Sequence, residues 1–256
     1  MVKKFNFKKI IDKTVKDAME DQTTEEVVSD VPVAPRHVMI ATPSYRGDVH
    51  VYYVNSLVQT VIAGLNNGII FSPWFLSNDA LVQRCRNDIF KLAYEQKGYE
   101  SLLCIDGDMI WDPQWAIDLV NREEDIVGAT ARKKTDEEEM YVTGLKDFTV
   151  YDNGLMKAMS LGMGFVKVSR NVIDTMWEEA TPYTNPGGRD SRMLFDIGIV
   201  DGELWGEDSI FWKKCREHGF QPWVDPNMTC DHVGQKVFSG DFKNYLSRTV
   251  NYLTAT

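Results

Sequence analysis

Between Val38 and Ala129 the chain repeats one pattern: a short apolar run, a polar turn, then a longer stretch with apolar residues at helical intervals. The β-compatible runs are Val38–Ala41, Ile69–Leu76, Ser101–Ile105 and Asp125–Ala129. Val54, Leu57, Val58, Val61, Ile62 and Leu65 mark a first helix, which the Asn66-Asn67-Gly68 signal ends. Leu81, Cys85, Ile89 and Leu92 share one face of a second helix, capped by Ser77 or Asn78. Asp112-Pro113 opens a third, which runs to Asn121. Such alternation predicts an α/β, Rossmann-type fold: a mixed, mostly parallel sheet with right-handed crossovers, flanked by helices. Pro73 puts the second strand at an edge or a bulge.

The second half is less regular. Lys157–Val168 reads as one extended strand, with Gly162 and Gly164 where a ligand or a backbone approaches. A helix over Asn171–Glu178 follows. Thr181–Val200, rich in Pro, Gly and charge, is expected to be a mobile loop over an active site. Pro222–Pro226 reads as a strand that ends there, and the acidic run Asp136–Glu139 as a solvated loop.

Three regions are expected: 1–35 as an amphipathic helix and linker, 36–245 as the main domain, and 246–256 as a tail. In the first, Phe7, Ile10, Ile11, Val15, Ala18 and Met19 recur at helical spacing among lysines. Docking on the domain or on another subunit of a homo-oligomer is the favoured reading. Peripheral membrane contact through residues 1–20 is the alternative.

A formal net charge of -10 over 256 residues argues against a dedicated nucleic-acid binder, whose affinity comes from neutralising phosphates. It does not exclude a single nucleotide held by a metal and a few arginines. The four cysteines show no zinc-type pairing. No run reaches the length of a membrane span, and the N-terminus lacks an apolar signal core. The expectation is a soluble protein of bacterial, viral or host cytosol.

Asp106-Gly107-Asp108 follows directly on the third strand, at the carboxyl end of the strands, where open α/β sheets collect ligands. Two hard carboxylates there suit Mn²⁺ or Mg²⁺ bridged to phosphates, while an ordinary acidic turn is the plainer reading. Trp205-Gly206-Glu207-Asp208 opens a helix whose last turns carry Lys213, Lys214, Arg216 and His218. Glu207 and Asp208 therefore serve either as dipole-complementing first-turn acids or as a general base. His232 is a packed imidazole or a third metal ligand. Arg84 and Arg86 flank Cys85, so at least one projects outward, either to phosphate or into a surface ion pair.

Together these segments resemble nucleotide-sugar-dependent glycosyltransferases of the GT-A fold, over roughly Arg36 to Gly240. Thr42-Pro43-Ser44-Tyr45 looks like the nucleotide loop after the first strand, and Arg84 to Asn87 like the Arg-x-(Ala/Arg)-Asn helix pattern. Asp106-Gly107-Asp108 matches the Asp-x-Asp motif. Trp205-Gly206-Glu207-Asp208 is similar to the Trp-Gly-Gly-Glu-Asp acceptor motif less one glycine, so either acid could face the acceptor. Leu161-Gly162-Met163-Gly164-Phe165 looks like the strand beside the acceptor pocket.

The resemblance implies a divalent-metal-dependent transfer from a nucleoside diphosphate sugar, UDP-sugar favoured, to a carbohydrate, lipid or other hydroxyl acceptor. Asp106, Asp108 and His232 would hold Mn²⁺ or Mg²⁺. Thr42, Pro43, Tyr45, Arg84, Asn87, Asp106 and Gly107 would bind the nucleotide. Gly162, Gly164 and Trp205 would bind the acceptor, with Asp208 or Glu207 as the base if configuration inverts, or both acids positioning the acceptor if it is retained. Two rivals are a nucleotidyltransferase with an acidic metal site, and a carbohydrate-binding module using Trp74, Trp111, Trp205 and Trp223 as stacking platforms.

Overall fold

The structure is a computed structural model that describes residues 34–234 and 236–254. The amphipathic segment expected within 1–20, and nearly all of the linker, lie outside the described residues. In chain order the elements are β1 (Arg36–Ser44), α1 (Val51–Asn66), β2 (Ile69–Ser77), α2 (Val82–Glu95), β3 (Ser101–Ile105), β4 (Met109–Ile110) and α3 (Pro113–Asn121). Next come β5 (Ile126–Ala131), β6 (Val142–Val150), β7 (Met156–Leu161), β8 (Phe165–Ser169) and α4 (Arg170–Glu179). The last are β9 (Thr181–Thr184), β10 (Asp190–Met193), β11 (Gly198–Val200), β12 (Glu203–Trp205), α5 (Glu207–Glu217), β13 (Pro222–Val233), β14 (Val237–Phe238) and α6 (Phe242–Thr254).

The main sheet has the order β2-β1-β3-β8-β5-β13-β7-β6, with β4 and β14 attached to β13. β1 is parallel to both β2 and β3, and β5 is parallel to β13. β8 runs against β3 and β5, and β7 runs against β13 and β6. Most strands thus share one direction in a mixed sheet, the α/β class expected.

Both faces of the sheet are covered, which is why its central strands read as unbroken apolar runs. Met39, Ala41, Leu102 and Cys104 join one core with Ile89, Phe90, Phe211 and Trp212 from α2 and α5. Their neighbours Val38, Ile40, Leu103 and Ile105 point the other way, onto Tyr53, Leu57, Ile117 and Val120 from α1 and α3. Pro73 sits on β2, which is the edge strand, as expected. Among the described residues no helix is long and apolar enough to cross a membrane.

Five expectations give way. The single strand over Lys157–Val168 is two, β7 and β8, separated by Gly162-Met163-Gly164 and placed on either side of β5 and β13. Thr181–Val200 is not an irregular loop: β9 pairs with β10, and β11 pairs with β12, in two small hairpins. β13 does not stop at Pro226 but passes an irregularity between Val224 and Thr229 and continues to Val233. α2 begins later than expected: β2 runs through Ser77, Asn78 has a positive φ of 68°, and Leu81 is the cap residue. α6 spans the boundary expected at residue 245.

Candidate active site

The Asp106-Gly107-Asp108 turn leaves the end of β3 and re-enters as β4. Asp106 donates its amide to the carbonyl of Gly164 (3.1 Å), which ties the turn to the β7–β8 connection. Gly107 is pressed against the β1–α1 loop: a Cβ there would lie 2.9 Å from Val49 Cγ1. Its carbonyl accepts from the His50 amide at 2.9 Å. Glycine is required at this position for close approach rather than for an unusual φ.

The continuation of β13 brings His232 to the same place. His232 pairs with Met109 of β4, and Val233 donates its amide to the Asp108 carbonyl at 2.8 Å. His232 is buried, with Nδ1 3.1 Å from the Arg132 carbonyl and Nε2 3.3 Å from Asp108 Oδ2. Only a protonated Nδ1 can face a carbonyl, so Nε2 is the nitrogen left to share a proton or a cation with the carboxylate. Lys134 Nζ also contacts Asp108 Oδ2. Burial would raise the Asp108 carboxyl, but hydrogen bonds to His232 and Lys134 outweigh it and hold it at about 2.

Arg86, buried on α2, reaches into this cluster. Its Nη1 lies 2.6 Å from Glu207 Oε1 and 3.6 Å from Asp208 Oδ2, and its Nη2 lies 3.4 Å from Asp106 Oδ2. Burial acts against its charge, yet the neighbouring carboxylates keep the guanidinium fully protonated. Burial also pushes the carboxyls of Asp106 and Glu207 upward, and Arg86 opposes both shifts. Asp208 accepts a long hydrogen bond from the Met163 amide (3.4 Å). Four carboxylates (Asp106, Asp108, Glu207, Asp208) thus face two cationic side chains, Arg86 and Lys134, and a formal negative excess remains.

Two cavities meet at this cluster. The larger, about 560 Å³, is walled by Pro43, Tyr45, Asp79, Val82, Gly107 and Asp108, among others. The smaller, about 280 Å³, is walled by Met109, Thr130, Tyr141, Gly162, Met163, Gly164, Glu207 and Asp208, among others. Arg86, Asp106 and His232 belong to both walls. Asp106, Asp108 and His232 therefore share one cleft, and their hard oxygen and imidazole donors suit Mn²⁺ or Mg²⁺ in kind. Among the described residues, however, no three His, Cys, Asp or Glu side chains are already gathered as a ligand set. Arg86 and Lys134 engage the two aspartates instead.

The other residues singled out in the sequence fall into two groups. Pro43, Tyr45 and Gly107 line the larger cavity, while Gly162, Gly164, Glu207 and Asp208 line the smaller. Thr42 is fully buried with Oγ1 2.5 Å from the Tyr53 hydroxyl, so it supports the loop from beneath. Arg84 projects outward and pairs with Asp79 at 2.6 Å. Asn87 is buried: Oδ1 accepts from the amides of Leu194 (3.0 Å) and Phe195 (2.8 Å), fastening the segment between the two hairpins. Trp205 ends β12 opposite Gly198 and is absent from the described walls of both cavities. Arg84, Asn87, Thr42 and Trp205 are thus not among the residues that line either cavity.

Arg86, Lys134, Thr130 and Tyr141 are cavity or cluster residues that sequence reasoning did not assign. Arg86 carried a signal, since it stands three residues before Ile89 and four before Phe90, on the buried face of α2. Lys134, Thr130 and Tyr141 carried none, because their neighbours at the site come from distant parts of the chain.

No family model and no curated protein matches the chain. Among solved structures it is similar to A197 from STIV, with 20% identity, 77% of this chain and 86% of that one covered, and a TM-score of 0.50. The catalytic domain of Drosophila β1,4-galactosyltransferase 7, in complex with xylobiose, gives 13% identity, 83% and 79% coverage, and 0.47. The 4-diphosphocytidyl-2C-methyl-D-erythritol synthase from Anaerococcus prevotii gives 10%, 56% and 76%, and 0.34. The first likeness speaks to fold alone, and the other two decide nothing between sugar transfer and nucleotidyl transfer. The chain has a mixed α/β fold, one sheet of parallel and antiparallel strands with helices on both faces, similar to that of A197 from STIV.

Proposed function

We propose that the chain is a metal-dependent glycosyltransferase, moving a sugar from a nucleoside diphosphate sugar, UDP-sugar favoured, to an acceptor hydroxyl. One observation carries this reading: a larger and a smaller cavity meet across Arg86, Asp106 and His232, with a pair of acids in the smaller one. The larger cavity suits the nucleotide, between Tyr45 and the Asp106-Gly107-Asp108 turn. Asp106, Asp108 and His232 would hold Mn²⁺ or Mg²⁺, which supplies Lewis-acid neutralisation of the departing diphosphate.

The two acids divide their roles by their ties. Glu207 is fixed by Arg86 at 2.6 Å, whereas Asp208 stands 3.6 Å from the same guanidinium and 3.4 Å from the Met163 amide. The less restrained Asp208 is therefore the base, and Glu207 positions Arg86. In the transfer, the bond between the sugar's anomeric carbon and the diphosphate oxygen breaks, and its electron pair leaves with the diphosphate. The acceptor oxygen forms the new bond to that carbon, and its proton passes to Asp208 Oδ. The acceptor hydroxyl would enter the smaller cavity, whose wall includes Gly162 and Gly164.

Incubation with UDP-sugars and Mn²⁺ tests the reading. Release of UDP supports it. Release of pyrophosphate from nucleoside triphosphates plus a sugar phosphate, without UDP release, would assign the chain to nucleotidyl transfer instead.

A further inference from the structure

Helix α1 has 16 residues, Val51–Asn66, and none is charged, although charged residues make up 26% of the chain. Val51, Val54, Val58, Ile62 and Leu65 stand three or four residues apart, so they form one stripe along it. All five are exposed, by 41% to 68%. Single apolar residues on a surface are ordinary, but a contiguous stripe marks an interaction face. The opposite side of the helix is occupied: Ser56 donates to the Trp111 carbonyl (3.0 Å), and Thr60 accepts from the Trp111 indole (2.8 Å). Val58 is two residues from each and so points away from them. Phe75 of the edge strand β2 is a further exposed ring beside α1, edge-on to Tyr53 at 6.2 Å between centroids.

The character of the face selects its occupant. A charged partner would find no ion pair on α1. A helix that lies on an anionic membrane carries Lys and Arg on its polar face, whereas the exposed polar residues here are Asn55, Gln59 and Asn66. A second copy of the chain fits better. Two copies with a formal charge of -10 each repel, and an uncharged helix is a face on which they meet with no like charges opposed. The stripe is also palindromic about Val58: Val51 and Val54 stand 7 and 4 residues before it, and Ile62 and Leu65 stand 4 and 7 after it. A two-fold interface requires such self-complementarity. Joining the sheets through β2 is the competing route, and Pro73 in the middle of that edge strand blunts it.

We propose that two copies of the chain associate through α1, packed antiparallel about a two-fold axis at Val58. Val51 of each copy then meets Leu65 of the other, and Val54 meets Ile62. A contact one helix wide and about 24 Å long is at the small end of specific interfaces, so the dissociation constant is of micromolar order. The inference does not depend on the transferase reading.

Sedimentation equilibrium of the full chain from about 1 to 200 µM should show monomer giving way to dimer. Val58→Asp sets two carboxylates against each other at the axis and should weaken association by about tenfold or more. Its circular dichroism and the thermal midpoint of its monomer should match those of the unaltered chain, since the side chain is exposed. Val58→Cys should give a covalent dimer under copper–phenanthroline oxidation, because the four native cysteines are buried. Glu179→Cys, an exposed site on α4, should not. Association undiminished in Val58→Asp, or a dimer in which Val58→Cys forms no cross-link, overturns the α1 interface. A chain that stays monomeric throughout overturns the inference altogether, and pelleting of that monomer with phosphatidylcholine vesicles would assign the face to a bilayer instead.

Discussion

Arg86 and Glu207 are 121 residues apart in sequence, yet the guanidinium of one lies 2.6 Å from the carboxylate of the other. The contact joins α2 to the first turn of α5 and sets Asp208 beside the pocket. Arg86→Met would leave buried carboxylates without their cation. The expected loss is about 3–5 kcal/mol of unfolding free energy, measured by urea titration. A loss below about 1 kcal/mol would show that Arg86 is not what holds the cluster together.

Asp208→Asn should lower kcat for transfer by about 10²–10⁴ and leave UDP affinity within about twofold. Glu207→Gln should instead act on both, because it loosens Arg86, which walls both cavities. Steady-state kinetics with a matched UDP titration separates the two patterns. Equal effects of the two substitutions would contradict the division of roles.

Lys134 competes with any cation for Asp108, since its ammonium already contacts that carboxylate. Removing an exposed ion pair of this sort is worth about 0.5–1 kcal/mol. Lys134→Ala should therefore tighten Mn²⁺ binding by about two- to fivefold, read by titration of free Mn²⁺ with electron paramagnetic resonance. Weaker binding would make Lys134 a supporting group instead of a competitor.

Asn87→Ala should free the amides of Leu194 and Phe195. The cost is about 1–3 kcal/mol, and proteolysis between residues 181 and 205 should quicken ahead of global unfolding. UDP affinity should change little. A large loss of UDP binding with unaltered stability would restore the nucleotide role that the sequence pattern implied.

Asp108 is held at about 2, below its ordinary 3.8. Because the folded value is the lower one, its stabilising contribution is complete above about pH 4 and is lost as the pH falls toward about 2. Solvent screening at a side chain 37% exposed limits this to about 1 kcal/mol or less. Asp108→Asn should lose less stability than the unaltered chain across that interval in urea titrations. Identical losses would mean that Lys134 and His232 do not hold the carboxylate in solution.

What the sequence made legible was local. The strand before Asp106 and the helices of the first half are written in apolar periodicity, so β1 to β3 and α1 to α3 were readable. The two-sided burial of the sheet strengthened that signal. Gly162-Met163-Gly164 misled because glycines inside an apolar run mark close approach and a break between strands alike. Here they link two strands that both run against β5 and β13 and that the sheet separates.

The candidate site was legible where one segment supplied the chemistry, as at Asp106 to Asp108 and Glu207-Asp208. It was not where distance along the chain decided the outcome. Asn87 and Arg84 stand on a helix that matched a nucleotide-binding pattern, but their partners proved to be Leu194 and Phe195 for one and Asp79 for the other. The place of His232 depends on β13 running past its irregularity to meet β4, which no local pattern announces.

The most direct test is calorimetric titration of UDP into the chain with and without Mn²⁺, repeated on Asp108→Asn. UDP binding is expected to need Mn²⁺ and to disappear in the variant, whose far-ultraviolet circular dichroism stays unchanged. UDP bound equally well without the metal, or undiminished in Asp108→Asn, would contradict it.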